Sequence, residues 1–286
     1  MYDRIDHLKD TVFQHGPFND RVYIMQTAPE DHAELLPYIE KLATRRGYGK
    51  VIAKVPASAR RAFADWGAAE EGRVPDYYGA DQDAHFMARY FDSRRRKEHQ
   101  SDLVRKNLAI ARAKATENPS PPDGGGWNHT VSIAVAADAE ALSRIYRRVF
   151  PTYPFPIHDP EYLRQAMQRD VVYFKLEHDH CISAVASAEM DLANGAVEMT
   201  DFATLPELRG QGAAQSLLLA METAMRQRGL RLAFTIARAC SAGMNVTFAK
   251  CRYAFGGTLR NNTNISGRIE SMNLWFRPLA HPAATS

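Results

Sequence analysis
The residues whose types and spacing could do chemistry are concentrated in one stretch, Glu198 to Leu218. Arg209-Gly-Gln-Gly-Ala-Ala214 follows a β-rich segment, Glu198 to Thr204. It precedes a run in which Leu217, Leu218, Met221, Ala224 and Met225 recur with a helical period. Pro206 ends the strand, because proline has no N–H to give to a ladder. Glycines just ahead of a helix let the backbone approach a ligand closely, with free N–H groups pointing outward. The helix dipole adds partial positive charge at the same place. Together these make an anion site, most naturally for a phosphate or pyrophosphate. A glycine turn required only for packing is the competing reading.

The elements that would position this loop follow from patterning. In the first half, strands are expected at 10–16 and 20–27, around the turn signal His15-Gly-Pro-Phe-Asn19. A helix is expected over 31–46, a strand over 51–55, a helix over 58–66, a strand over 83–90 and one long charged helix over 93–115. Glu117-Asn-Pro-Ser-Pro-Pro-Asp-Gly-Gly-Gly126 cannot continue a helix or pack as a strand and reads as a linker. The second half opens with a strand at 131–135 and a helix capped by Asp138. A stiff, proline-rich loop, 151–160, suits the lining of a substrate site. Beyond it come a helix at 161–169, a hairpin 171–177/181–190 turning through His178-Asp-His180, the strand and helix of the opening stretch, a strand at 232–236 and a helix at 244–250. Two closing strands are expected near 256–260 and 268–276.

At 286 residues with 45% hydrophobic and 24% charged residues, the composition is that of a soluble globular protein. A formal charge of +3 is too small to argue for nucleic acid. Arg94-Arg-Arg-Lys97 reads as a solvated helix start. Cys181, Cys240 and Cys251 lack CxxC spacing, so a reducing, cytoplasmic setting is expected, without a zinc site or disulfide framework. His178 and His180 read as a turn before a metal site. No apolar signal core and no run of about 18 apolar residues is present, so no membrane role is expected.

The halves match each other. Phe63-Ala64 and Phe248-Ala249, Gly72 and Gly257, Met87 and Met272, and Tyr90-Phe91 and Trp275-Phe276 are all offset by 185 residues. Arg45-Arg46-Gly47 matches Gln227-Arg228-Gly229 at an offset of 182. A duplication is expected in which the first copy lacks the glycine loop. It would then be a structural or dimerising lobe, with a homodimer left open.

Residues 129–279 resemble the GNAT superfamily of acyl-CoA-dependent N-acetyltransferases. Arg209-Gly-Gln-Gly212-Ala-Ala214 fits that family's Q/R-x-x-G-x-G/A motif, with Leu205-Pro-Glu-Leu as its lead-in and VAADAEALSRIY as its strand–helix opening. VFPTYPFPIHDPEYL, SAEMD, VEMTDFATLPELRGQG, TIARACSAGMN and LRNNTNISGRIESMN are similar to the β-lysine N6-acetyltransferases, and the N-terminal lobe resembles theirs. The resemblance implies an α/β (α+β) fold, a GNAT-type mixed, mostly antiparallel sheet flanked by helices. Residues 1–116 would form a smaller degenerate GNAT-like lobe, 117–127 a linker and 128–286 the catalytic domain. It implies acetyl-CoA as co-substrate, no metal, a small-molecule amine as partner, and Nε-acetyl-β-lysine, a compatible solute, as product. Another small amine, or a catalytically silent acyl-CoA-binding module, are the alternatives.

The resemblance also implies site residues. Arg209, Gly210, Gln211, Gly212, Ala213 and Ala214 would grip the pyrophosphate. Phe202, Ala203, Thr204 and Leu205 would supply a backbone N–H to the acetyl oxygen. An amine of pKa about 10.4 must lose a proton before attack, and Glu198, eleven residues before Arg209, stands where some GNAT enzymes place a general base. Glu189, Asp191, Asp201 and Glu270 compete for that role or would hold a second ammonium. Phe248 falls where many GNAT enzymes carry a tyrosine acid, so thiolate protonation would rely on water or the departing ammonium proton. Asn261-Asn262-Thr263-Asn264 reads either as a solvated hairpin loop or as a binder of the substrate carboxylate and 3-amino group. Phe155, His158 and Asp159 would line the same pocket.

Overall fold
The computed structural model describes residues 2–27, 31–116 and 129–279. The predicted linker 117–126 lies outside them. The first half contains β1 (Arg4–Leu8), β2 (Thr11–Gly16), β3 (Arg21–Gln26), α1 (His32–Arg46), β4 (Lys50–Pro56), α2 (Ala57–Asp65), β5 (Ala69–Val74) and β6 (Ala84–Tyr90). Next come α3 (Ser93–Arg96), α4 (Ser101–Ala115), β7 (His129–Ile133), α5 (Ala139–Val149), α6 (Pro160–Met167), β8 (Val171–His178), β9 (Cys181–Asp191) and β10 (Ala196–Thr204). The chain closes with α7 (Ala213–Gln227), β11 (Leu232–Arg238), α8 (Ala242–Lys250), β12 (Ala254–Ile265) and β13 (Arg268–Pro278).

All these strands form one sheet in the order β1-β2-β3-β4-β6-β5-β12-β13-β11-β10-β9-β8-β7. Only β3–β4 and β10–β11 pair parallel, so the sheet is mixed and mostly antiparallel. The order is mirrored about its centre, where β5 meets β12 with Gly72 opposite Gly257. Each of these strands carries a bulge at the corresponding place, between Glu70 and Gly72 and between Phe255 and Gly257. Glycine is required here. A Cβ on Gly257 would lie 2.3 Å from the Glu71 carbonyl oxygen and 2.5 Å from the Gly72 Cα, and its φ of +141° disfavours any other residue.

Three buried clusters fill the layers. Phe13, Val22, Ile24, Leu35, Ile39 and Phe63 seal α1 and α2 onto the first half. Leu217, Leu218, Met221 and Met225, the predicted stripe of α7, pack with Phe248 and Trp275 on the second. The third cluster joins Ile52, Tyr77 and Phe86 to Tyr146, Phe150, Tyr153 and Ile157, so the α5–α6 connection packs with side chains of both halves.

Several expectations are corrected. The strands β1 and β5 are additional to those expected; both read as mostly polar, with β1 and the start of β5 largely exposed. The long helix is interrupted between Arg96 and Ser101, and Arg95 is buried rather than solvated. It donates to the Asn19 and Asn261 carbonyls at 2.6 and 2.8 Å and pairs with Asp20 at 2.7 Å. Placed with the first lobe by sequence, α4 instead packs on α8, and Asn107 donates to the Ala239 carbonyl at 3.1 Å.

Candidate active site
The glycine loop and the sheet open a cavity of about 630 Å³. Gly210 and Gly212 have φ of +82° and +83°, the left-handed region that favours glycine. Gly212 caps α7, whose first helical bond runs from the Ser216 amide to the Gly212 carbonyl at 2.9 Å. The amides before Ser216 therefore have no intrahelical partner, and no acidic residue occupies the first turn. Arg209, Gly210, Gly212, Ala213 and Ala214 all line the cavity. Gln211 is exposed at the tip of the loop and does not line it.

β10 explains why the sheet opens here. It pairs with β11 only from Ala196 to Glu198 and slips against β9 between Thr200 and Ala203, with Asp201 at φ +56°. Two strands that separate leave amides aimed into the gap. The Leu205 amide is already committed to the Ser183 carbonyl at 3.0 Å. Strand alternation sends the Ala203 amide the same way, and those of Phe202 and Thr204 to the open side. Phe202 and Thr204 line the cavity; Ala203 and Leu205 do not, so the donor segment narrows to the first two. Phe248 is buried there, edge-on to Phe202 at 5.6 Å, and offers no proton.

A second cavity of about 230 Å³ shares Tyr153, Thr200, Asp201, Ile236, Ile265 and Met272 with the first. Glu189 and Glu198 are cross-strand partners on β9 and β10 and line it together. No hydrogen-bond donor meets either carboxylate side chain-to-side chain among the described residues. Burial pushes Glu189 well above the usual carboxylate range, with Asp201 and Glu198 adding to it. Glu198 is pushed up to about 7 by burial, opposed by the Lys54 ammonium and reinforced by Asp201. Two such neighbours titrate as a pair. Asp201 is also raised by burial, but its oxygens already accept from the Tyr153 hydroxyl and from Ser187 Oγ at 2.6 Å. That leaves Glu198 and Glu189 as the acids of this pair of strands that no side chain engages by a hydrogen bond among the described residues, Glu198 accepting only from the Ile236 backbone.

The other predicted lining residues divide. Phe155 and Asn262 face the small cavity. Asp159 does not; it is exposed and caps α6 by accepting from the Glu161 amide at 2.9 Å. His158 is likewise absent from the lining. Glu270 is buried between Arg238 and Arg268, at 2.9 and 3.0 Å, a structural ion pair outside both cavities. The Asn261–Asn264 cluster is no solvated loop. It belongs to β12, and Asn261 and Asn264 bind the Arg95, Lys97 and Phe18 carbonyls across the halves at 2.8 to 2.9 Å. Asn264 therefore ties the halves together and lines neither cavity.

Sequence reasoning missed the first half's share of the small cavity: Arg21, Tyr23, Met25, Lys54 and Tyr77. Lys54 donates to the Tyr77 hydroxyl at 2.5 Å, and Tyr77 to Asp191 at 2.8 Å. A signal was present. Lysine and arginine stand in strands that are otherwise apolar, RVYIM and KVIAKV, and such residues are almost never fully buried without a task or a partner. Among the described residues no group of three or more His, Cys, Asp or Glu could hold a metal ion, and His178 and His180 lie at the β8–β9 turn.

Residues 139–244 match the acetyltransferase (GNAT) family. The chain is 39% identical over 275 residues to a β-lysine N6-acetyltransferase of Methanococcus maripaludis, covering 96% of this chain and 98% of that protein. It is 32% identical to a second protein so named, from Methanosarcina mazei, over 86% of this chain and 97% of that one. To the N-acetyltransferase YodP of Bacillus subtilis it is 34% identical, over 94% of this chain and 96% of that one.

Proposed function
Because the chain belongs to the family of the β-lysine N6-acetyltransferases, we propose that it moves the acetyl group of acetyl-CoA onto the terminal amine of β-lysine. The two joined cavities carry this reading: one ends at a helix N-terminus suited to pyrophosphate, the other at a pair of buried glutamates suited to an ammonium. Acetyl-CoA supplies the acetyl group as an activated thioester. The loop residues Arg209 to Ala214 would hold its pyrophosphate by backbone amides, and the Phe202 and Thr204 amides would receive the acyl oxygen. Glu198 accepts the ammonium proton; near pH 7 it is held close to half-ionised, the condition for a base that must both take and release protons. Glu189 then balances the second ammonium of a diamine. Phe248 packs the cavity wall without proton transfer.

The same reading takes residues 1–116 as a degenerate copy of the catalytic half, 128–286, joined by the linker 117–127. The mirrored strand order and the paired bulges support it. It also takes the product as a neutral zwitterion of osmolyte type, made in the cytoplasm by a protein without nucleic-acid or membrane partners, homodimer or not. No helix among the described residues is long and apolar enough to cross a membrane.

Incubation with acetyl-CoA and (3S)-β-lysine should release thiol in proportion to amine acetylated at the terminal position. Turnover of a polyamine but not β-lysine would replace the substrate. CoA binding without transfer to any amine would replace the function.

A further inference from the structure
The small cavity is bipolar, and its positive end belongs to the other half of the chain. Arg21 on β3 is only 4% exposed. Its Nη1 donates to the Asn262 carbonyl at 2.6 Å and to Thr263 Oγ1 at 3.1 Å. Its Nε is buried without a partner, its Nη2 makes no hydrogen bond, and no carboxylate lies within ion-pair distance among the described residues. The guanidinium rests over the Tyr23 ring, 5.2 Å from its centroid. What remains unpaired is the Nε/Nη2 edge, the fork that meets a carboxylate through two parallel bonds. Burial lowers this guanidinium to about 10, which still leaves it charged at neutral pH. A buried charge without a partner is costly and is retained where a partner arrives. The partner is not Glu198, whose charged neighbours are Lys54 and Asp201.

We propose that Arg21 is the anchor for the acceptor's carboxylate, so that the first half reads the anionic end of an amino acid whose amine the second half acetylates. This rests on the acetyltransferase reading above and goes beyond it by making the carboxylate a requirement of recognition. A cavity of about 230 Å³ has room for a free amino acid. A polyamine of the same length would leave the guanidinium buried and unpaired, a penalty that discriminates as strongly as a contact attracts.

The test uses the full chain with two acceptors, β-lysine and 1,4-diaminopentane, which is the same diamine without its carboxylate. Wild type should strongly prefer β-lysine. Arg21→Met should lower kcat/KM for β-lysine on the order of 10²-fold, mainly through KM, and leave that for 1,4-diaminopentane unchanged or raised. Arg21→Lys should restore part of the loss. Calorimetric binding of 3-aminohexanoate, which keeps the carboxylate and lacks the reacting amine, should be lost in Arg21→Met while CoA binding persists. An unchanged KM for β-lysine, or equal losses with both acceptors, would overturn the anchor alone. Wild-type preference for 1,4-diaminopentane would overturn the acceptor reading and the anchor with it. If Arg21→Met does not fold, the Arg21→Lys acceptor ratio decides by the same criteria.

Discussion
Replacing Glu198 by Gln removes one ionisable group and changes little else in shape, so its effects on rate and on stability can be set side by side. The folded carboxyl titrates at about 7 against an ordinary 4.5. The native state therefore binds a proton that the unfolded state has already lost between those values. The stabilising contribution is complete below pH 4.5 and disappears as pH rises through 7. The full difference corresponds to about 3 kcal/mol, an upper bound because the half-buried carboxyl still meets cavity water, and about 1–3 kcal/mol is the working range. Glu198→Gln should thus be more stable than wild type by that amount in urea titrations at pH 8 and equal to it at pH 4. Its kcat should fall by about 10²–10⁴, the usual worth of a positioned base. The wild-type rise of kcat/KM through pH 7 should vanish from its profile. Lys54→Met is the companion: without the ammonium that favours ionised Glu198, the same limb should move to higher pH. A Glu198→Gln enzyme that keeps the limb near pH 7, or loses stability at pH 8, would refute the assignment and point to Glu189.

Gly212→Ala should raise the KM for acetyl-CoA by tenfold or more with little change in that for the amine. It forces a non-glycine residue to φ +83°, at a cost of about 1–2 kcal/mol, on the residue that caps α7; initial rates at saturating amine measure it. Gly257→Ala places a Cβ against the Glu71 carbonyl and should lower the midpoint of urea unfolding by more than any exposed substitution in α4. If the halves are as integral as the continuous sheet implies, wild type should unfold in a single transition by circular dichroism and fluorescence alike.

Local chemistry was legible where one residue type meets one backbone demand. The glycine loop and the α7 stripe followed from φ preference and period alone, and the C-terminal ends of α1 and α8, Arg46 and Lys250, fall where expected. The bulge at Asp201 was not legible, since no residue type there requires it. Glu198 was singled out through the resemblance, by its spacing of eleven residues from Arg209. Arg21 and Lys54 were missed for the converse reason: they are far in sequence from everything they serve and six or more strands away along the sheet, and only the tertiary fold brings them to one cavity with Glu189 and Glu198. Asn261 and Asn264 look solvent-facing in sequence, because amides usually are. Asn261 is buried and Asn264 half-buried, because the halves meet there and backbone carbonyls of the first half need donors. Glu270 and Asp159 have the right chemistry and the wrong address, which residue type cannot reveal.

The seam at Gly72 and Gly257 has a consequence for evolvability. Two identical subunits joined about a twofold axis must place the same side chain at both related positions. Any residue that improves one site is then imposed on the other. Joining both halves in one chain lifts that constraint while keeping the shared sheet. Here the strand that pairs parallel to β11 carries Glu198, and the strand that pairs parallel to β4 carries Arg21 and Tyr23. A single cavity can then receive acids from one side and bases from the other, a polarity that a symmetric dimer could build on its axis only by repeating every charge.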